Sequence, residues 1–373
     1  MKPGTVLGNA ICAYADRVYG VPGYPVTGLI AETGADLVIN EKVALEYALG
    51  DSLSGKRACV IVKNIGMNTL SDPLVHATVQ GLSGGVVLVA GDDMAASGTQ
   101  VILDSRLYGP VAIIPVLEMN RHDPVGEAFA ASERYSRVAL LRFCPDEQDL
   151  PLDEGFRPDT ARGRGSLADP DLTMYGRAVH ARSSLSSLEK SGYLPFPVPL
   201  PDQRIYPVKR SERGHSQTLC HDCPFRPVFS LLEEKQIAVI PDTGCSLLSM
   251  NPPYSSGKAN YGLGSSVAVA SRSTGIALTG DYALLHSGLQ GLIDLQVKGY
   301  PLLCIVLQNR CMGMTGRQPV PDILDYIGFT RPVVCTADDH EVLNRMICPG
   351  EGLRVLVVQG TCPGNSSYET MAC

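Results

Sequence analysis

Asp281 and Asn309 stand 28 residues apart (309 − 281), and each closes an apolar run. Gly275–Thr279 ends in Gly280-Asp281, and Pro301–Leu307 ends in Gln308-Asn309. Between them lies a helix-like segment carrying Leu289, Leu292, Ile293 and Leu295. This pattern predicts strand, crossover helix and parallel strand, with a carboxylate and a carboxamide at neighbouring strand ends. A right-handed crossover sends both oxygens into one crevice at the carboxyl edge of the sheet. Two hard oxygen donors beside a helix N-terminus suit a divalent cation holding a diphosphate. Asp and Asn are also common turn residues at strand ends, so the bare pair says little by itself.

The flanking letters narrow the reading. GDYALLHSGLQGLID followed by QNRCMGMTGRQPVP resembles the alpha subunit of indolepyruvate:ferredoxin oxidoreductases, within the thiamine diphosphate-dependent 2-oxoacid oxidoreductase family. The resemblance implies that Gly280, Asp281, Asn309 and the backbone carbonyl of Cys311 hold thiamine diphosphate through Mg²⁺. It also implies a cofactor-activating role for Glu41 in the segment NEKVALE, where a carboxyl hydrogen-bonded to the aminopyrimidine favours its imino tautomer. From the local pattern alone, Glu41 reads first as a first-turn acid that complements the helix dipole, and the diphosphate motif of the second domain turns the reading to function. Upstream, Gly23-Tyr24-Pro25-Val26-Thr27 resembles the family's turn near the substrate carboxylate, with Gly28 where members often carry a second Pro. Thr27 is either a hydroxyl donor to substrate or an ordinary helix cap. Lys63-Asn64 reads as a strand-end contact to cofactor or substrate, or as a tight turn. Asp92-Asp93 reads as a surface loop. His286, in LLHSG, either orients the reacting carbonyl or caps the crossover helix.

The chain contains 12 cysteines, many for a reducing compartment, where a disulfide framework does not fit. A lone Cys-x-x-Cys serves zinc or redox chemistry as readily as iron–sulfur, and single thiols are often buried small hydrophobes. Cys220, Cys223, Cys245 and Cys362 resemble, as a set, the four ligands of the family's proximal [4Fe–4S] cluster. Four thiolates from separate loops are what such a cluster requires. The family subunit continues into a cysteine-rich, ferredoxin-like tail, whereas this sequence stops at Cys373 without one. The resemblance therefore implies that electrons leave through ferredoxin or an electron-transfer subunit. It further implies a 2-oxoacid substrate such as an aryl pyruvate, coenzyme A as acyl acceptor, a homodimeric core and a smaller beta subunit. A non-redox decarboxylase of the sulfopyruvate or phosphonopyruvate type is the alternative, and a non-catalytic subunit of an oxidoreductase complex is a third reading.

These groups need a scaffold, and the chain supplies two stretches of strand–helix alternation. The expected strands of the first are Leu37–Asn40, Ala58–Lys63, Gly85–Gly91, Ile113–Leu117 and Ala139–Phe143. Helices are expected over Glu41–Ser54, Asp72–Leu82 and Pro124–Tyr135. In the second, strands are expected at Ile237–Pro241, Gly275–Thr279, Pro301–Leu307, Val333–Cys335 and Leu353–Val358. The fold class is α/β: two thiamine diphosphate-binding-type domains, each a mostly parallel sheet flanked by helices. Residues 1–145 are expected to bind the pyrimidine and 217–373 the diphosphate. A Pro/Arg/Ser-rich connection over 146–216 is expected to have no core of its own.

With 373 residues, 45% hydrophobic and 18% charged, the sequence can bury two cores. A formal net charge of −7 and the lack of any basic run exclude a nucleic-acid partner. No apolar run reaches membrane-spanning length and MKPGTVLGNAICAYADRV lacks a signal-peptide pattern, so a cytoplasmic protein without membrane contact is expected.

Overall fold

Runs of Val, Ile, Leu and Ala that are apolar without alternation form strands buried on both faces, as parallel sheets require. The computed structural model describes residues 3–99, 101–147, 162–199, 206–348, 350–363 and 368–373. The chain divides into two units, residues 1–169 with 174–206 and residues 170–173 with 207–373. Parts of the expected connection, 148–161 and 200–205, lie outside the described residues.

The first unit holds a six-stranded sheet in the order β2-β1-β3-β4-β6-β5. Its strands are β1 (Arg17–Gly20), β2 (Asp36–Leu37), β3 (Ala58–Lys63), β4 (Val86–Gly91), β5 (Val116–Glu118) and β6 (Ala139–Phe143). All pair in parallel. The VVLVAG sequence of β4 is buried at every position. Ile11, Tyr14, Ile61, Val89, Phe129 and Leu141 anchor the core on one side. Leu188 joins them from helix Leu185–Lys190. The connection thus lends a side chain to the first unit's core.

Two expected strands are shorter than the apolar runs suggest. Pairing near residue 37 stops at Leu37, because the Asn40 side chain accepts from Val43 N at 2.9 Å and starts a helix instead. Ile113 ends the preceding helix in the left-handed region (φ 53°), which delays β5 to Val116. β1 was not expected from the sequence; its four residues are too few for a periodic signal.

In the second unit, β8 (Ile240–Pro241), β9 (Ile276–Gly280), β10 (Leu302–Gln308), β11 (Val333–Thr336) and β12 (Leu353–Gln359) form a parallel sheet ordered β11-β12-β10-β9-β8. β7 (His215–Cys220) pairs antiparallel with β13 (Tyr368–Ala372), outside that sheet. Every residue of β10 is buried. The helix Leu289–Lys298 connects β9 to β10 and ends at Gly299 (φ 65°), a left-handed cap that suits glycine. Leu278, Ile305, Phe229, Leu343 and Val358 belong to the core. No helix is long and apolar enough to cross a membrane among the described residues.

Candidate active site

In parallel sheets, the loops that follow each strand gather at one edge, where ligands bind. In the first unit that edge carries Gly23, Thr27, Glu41, Lys63 and Asn64. Glu41 is the first residue of helix Glu41–Leu53, placed there by the Asn40 cap. Its carboxyl lies over the turn after β3, where Gly66 leaves it room: a Cβ on Gly66 would stand 2.6 Å from Glu41 Oε1. Among the described residues Glu41 makes no hydrogen bond or ion pair. Glu46, further along the same helix, is buried and salt-bridged to Lys42 at 2.8 Å. One of the two carboxylates is spent on the fold and the other is not.

The neighbours of Glu41 are more committed. Lys63 lays its alkyl chain across Gly23, whose missing Cβ would come within 2.7 Å of Lys63 Cδ. The Thr27 hydroxyl donates to Gly23 O at 3.0 Å and accepts from Gly23 N at 3.1 Å, closing its own turn. Asn64 is fully buried, donates to Leu103 O at 3.0 Å and accepts from Ile65 N at 2.8 Å. Asp92 and Asp93, expected in a surface loop, are buried. Asp92 pairs with Arg142 Nε at 2.8 Å, and Asp93 accepts from the backbone of Ser97, Gly98 and Thr99. Both organise the loop after β4, so their burial follows from the backbone groups they satisfy.

In the second unit, the ends of β9 and β10 are adjacent, with Leu307 opposite Gly280. Asp281 is 2% exposed. Its Oδ2 accepts from Arg310 N at 2.7 Å and Asn309 N at 3.1 Å, and its Oδ1 accepts from Tyr282 N at 2.8 Å. The carboxylate therefore fixes the turn that carries Asn309. Burial pushes its pKa up against those N–H groups. Asn309 accepts from Cys311 N at 3.2 Å and donates from Nδ2 to Cys362 Sγ at 2.9 Å.

Asp281, Asn309, Cys220, Cys223, Cys245 and Cys362 line one cavity of about 360 Å³, together with Cys311, Phe225, Tyr282, Met312 and Tyr368. The sulfurs of Cys245 and Cys362 lie 3.8 and 3.7 Å from the point where a Gly313 Cβ would sit. Burial, and then the neighbouring Cys245, Cys220 and Cys362, push the Cys223 thiol up to about 11. Burial and Cys362 do the same for Cys311, up to about 11. The Tyr368 hydroxyl is 3.4 Å from Cys245 Sγ, and Tyr368 opposes Cys220 in the β7–β13 pair. Glu369, next along β13, binds Arg226 and, at 3.1 Å, His221 Nδ1 within the Cys-x-x-Cys segment. His286 is not among the cavity-lining residues. It is exposed in a π-helical turn, Leu284–Gly288, with its ring 5.8 Å from that of Tyr282 and Nδ1 3.2 Å from Ser287 Oγ.

Two contributors escape a motif search. Asp242, fully buried at the end of β8, accepts from Gly264 N (2.6 Å), Ser266 Oγ (2.7 Å), Thr243 N (3.0 Å) and Thr279 Oγ1 (3.1 Å). It ties the Cys245 loop to β9, and its signal is an Asp at the end of an apolar run, as at Asp281. Tyr368 has no such signal, because it reaches Cys245 only through a strand pairing distant in sequence.

The donor types match the groups that the sequence suggests, although among the described residues no three His, Cys, Asp or Glu side chains are drawn together closely enough to hold a metal ion. Asp281 is a buried carboxylate without a cationic side-chain partner among the described residues, an electrostatic gap that a divalent cation fills. Asn309 adds a second hard oxygen. The four thiols are soft donors from three segments that line one space, the donor type that iron–sulfur centres use.

The family described as thiamine pyrophosphate enzyme, C-terminal TPP binding domain, matches residues 241–334, the stretch that carries both Asp281 and Asn309. Indolepyruvate oxidoreductase subunit IorA of Archaeoglobus fulgidus is 40% identical over 107 residues, 28% of this chain and 17% of that protein. The IorA subunit of Methanothermobacter marburgensis is 23% identical across 90% of this chain and 75% of its own length. This chain is a homologue of IorA. Its α/β fold is shared more widely than its sequence. Benzoylformate decarboxylase from Polynucleobacter necessarius gives a TM-score of 0.65 at 13% identity, covering 97% of this chain and 99% of that one. A putative thiamin diphosphate-dependent enzyme from Mycobacterium smegmatis gives 0.62 at 13% identity, covering 97% and 100%. The chain is thus similar to IorA in sequence, carries a match to a thiamine pyrophosphate-binding domain and shares the α/β fold of these structures.

Proposed function

We propose that this chain is a thiamine diphosphate-dependent 2-oxoacid oxidoreductase subunit that oxidatively decarboxylates an aryl pyruvate such as indolepyruvate. In this reading residues 1–145 bind the pyrimidine and 217–373 bind the diphosphate. The acyl group passes to coenzyme A, and electrons leave through a [4Fe–4S] cluster to ferredoxin or a partner subunit. The working assembly is a homodimer core with a smaller second subunit. The observation that carries the reading is the shared cavity: Cys220, Cys223, Cys245 and Cys362 line the same space as Asp281 and Asn309.

Thiamine diphosphate supplies a carbon nucleophile and an electron sink for decarboxylation. The chain's own residues do the rest. Asp281, Asn309 and the Cys311 carbonyl would hold Mg²⁺ and the diphosphate, an anchoring role. Glu41, the carboxylate with no competing partner, holds a proton at the aminopyrimidine ring. Lys63 and Asn64 shape the strand-end turn beside Gly23, and Thr27 fixes that turn for the substrate carboxylate. His286 lies outside this cavity lining, with its ring beside that of Tyr282, and a proton-moving role for it rests on the sequence resemblance alone. The apolar lining from Phe225, Met312 and Tyr282 excludes water, which strengthens every charge interaction within.

A second reading, a non-redox decarboxylase of the sulfopyruvate or phosphonopyruvate type, rests on one observation. Among the described residues, no three His, Cys, Asp or Glu side chains are grouped closely enough to hold a metal ion. Iron and acid-labile sulfide measured on anaerobically purified protein separate the two. About four of each per chain, with viologen reduction on aryl pyruvates, supports the oxidoreductase. Neither iron nor sulfide, with carbon dioxide still released, gives the decarboxylase.

A further inference from the structure

The side-chain amide of Asn309 has two faces, and both are engaged. Its carbonyl oxygen accepts from Cys311 N and is the oxygen that the cation reading assigns to the metal. Its Nδ2 donates to Cys362 Sγ at 2.9 Å, a close contact for a sulfur acceptor. Asn309 is held in that pose from two directions. Its backbone N–H is bound by Asp281 Oδ2 at 3.1 Å, and Cys311 N donates back to its Oδ1 at 3.2 Å. No rotation of the amide satisfies both ends otherwise, since sulfur accepts and the Cys311 N–H donates.

We propose that Asn309 is a coupling residue, joining the cation that anchors the cofactor to the Cys362 ligand of the cluster through a single carboxamide. This inference rests on the thiamine diphosphate and iron–sulfur assignments above. An amide whose oxygen binds a divalent cation is polarised, and its N–H becomes a stronger donor. A stronger N–H···S bond stabilises the extra negative charge of a reduced cluster, and hydrogen bonds to ligand sulfurs are among the levers that set such potentials. The cluster therefore accepts electrons more readily once Mg²⁺–thiamine diphosphate is bound. By linkage, the reduced protein binds Mg²⁺–thiamine diphosphate more tightly than the oxidised protein, by the same factor. An idle site is then a poor electron acceptor and a loaded one a better acceptor.

The test is an anaerobic redox titration of the whole chain, following the cluster's EPR signal with and without Mg²⁺–thiamine diphosphate. The expected result is a midpoint potential that shifts positive on loading in the wild type. Asn309→Asp keeps an oxygen for the metal but has no N–H, and should lose that shift. Calorimetric titration with Mg²⁺–thiamine diphosphate confirms that the variant still loads. If Asn309→Asp does not load, the wild type alone decides: its affinity for Mg²⁺–thiamine diphosphate should be on the order of 5-fold or more higher in the reduced than in the oxidised state. A wild-type potential and affinity that ignore the other site overturn the coupling while leaving both assignments intact. A protein without iron and sulfide overturns the iron–sulfur assignment and the coupling with it.

Discussion

The two strand-end sites of this protein spend their carboxylates in opposite ways. In the first unit Glu41 is half-buried at a helix start, with space made by Gly66 and no partner among the described residues. In the second, Asp281 is buried and accepts three backbone N–H bonds, so its own turn depends on it. An unpaired group contributes little to the fold and is free for chemistry, whereas a group that organises its loop sets geometry and charge. The first edge thus looks like a place for proton transfer and the second like an anchor. Substitutions should separate activity from binding along the same line.

The largest effect is expected at Glu41. Glu41→Gln keeps the shape over Gly66 and removes the charge. Steady-state turnover with viologen as acceptor should fall by roughly 10²–10⁴-fold, the usual range for a positioned acid–base group. Because Glu41 holds no structural partner, the melting temperature should stay near that of the wild type. A large loss of stability without loss of turnover would show that the contrast between the two edges is misdrawn.

An intermediate effect is expected at Asp281, visible through pH. Burial raises its carboxyl above the unfolded value of 3.8. A group with a raised folded pKa stabilises the fold fully only below its unfolded pKa, and that contribution is lost as pH rises through the folded value. At neutral pH the cofactor-free fold therefore carries a buried charge at a cost, which Mg²⁺ offsets. The rise in melting temperature on adding Mg²⁺–thiamine diphosphate should be larger at about pH 7.5 than at about pH 5. Asp281→Asn should remove most of the rise and flatten its pH dependence, as differential scanning fluorimetry would show. An equal rise at both pH values in wild type and variant would mean that Asp281 does not face the cation.

How much of this is legible in the sequence follows from the range of each interaction. The strand–crossover–strand unit around Asp281 and Asn309 is local and long, and its apolar runs emerge as β9 and β10 within one residue at each end. Asp92-Asp93 was misjudged because two adjacent acids suggest solvent, while the backbone donors that bury them lie 4 to 13 residues further along the chain. β7 and β13 carry Cys220 and Tyr368, yet their pairing spans most of the second unit, and a short mixed-polarity strand has no periodic signature. Hence the four cysteines could be named from the sequence, but the contacts of Tyr368 and Asn309 with their sulfurs could not.

The smallest effect is expected at Thr27, where two roles compete for one hydroxyl. As both donor and acceptor to the Gly23 backbone, the group already makes the bonds of a turn closure. Thr27→Val keeps the branched shape and removes the hydroxyl. Losing these two exposed hydrogen bonds should together cost about 1 kcal/mol of stability, read as a small drop in denaturation midpoint. If Thr27 acts on the substrate only by fixing its turn, KM for the 2-oxoacid should rise by less than about 3-fold, because one lost direct hydrogen bond of about 1.4 kcal/mol gives a factor of ten. A tenfold or greater rise in KM with unchanged stability would instead place the hydroxyl on the substrate. The first edge would then hold a second uncommitted group, and Glu41 would no longer be its lone chemical residue.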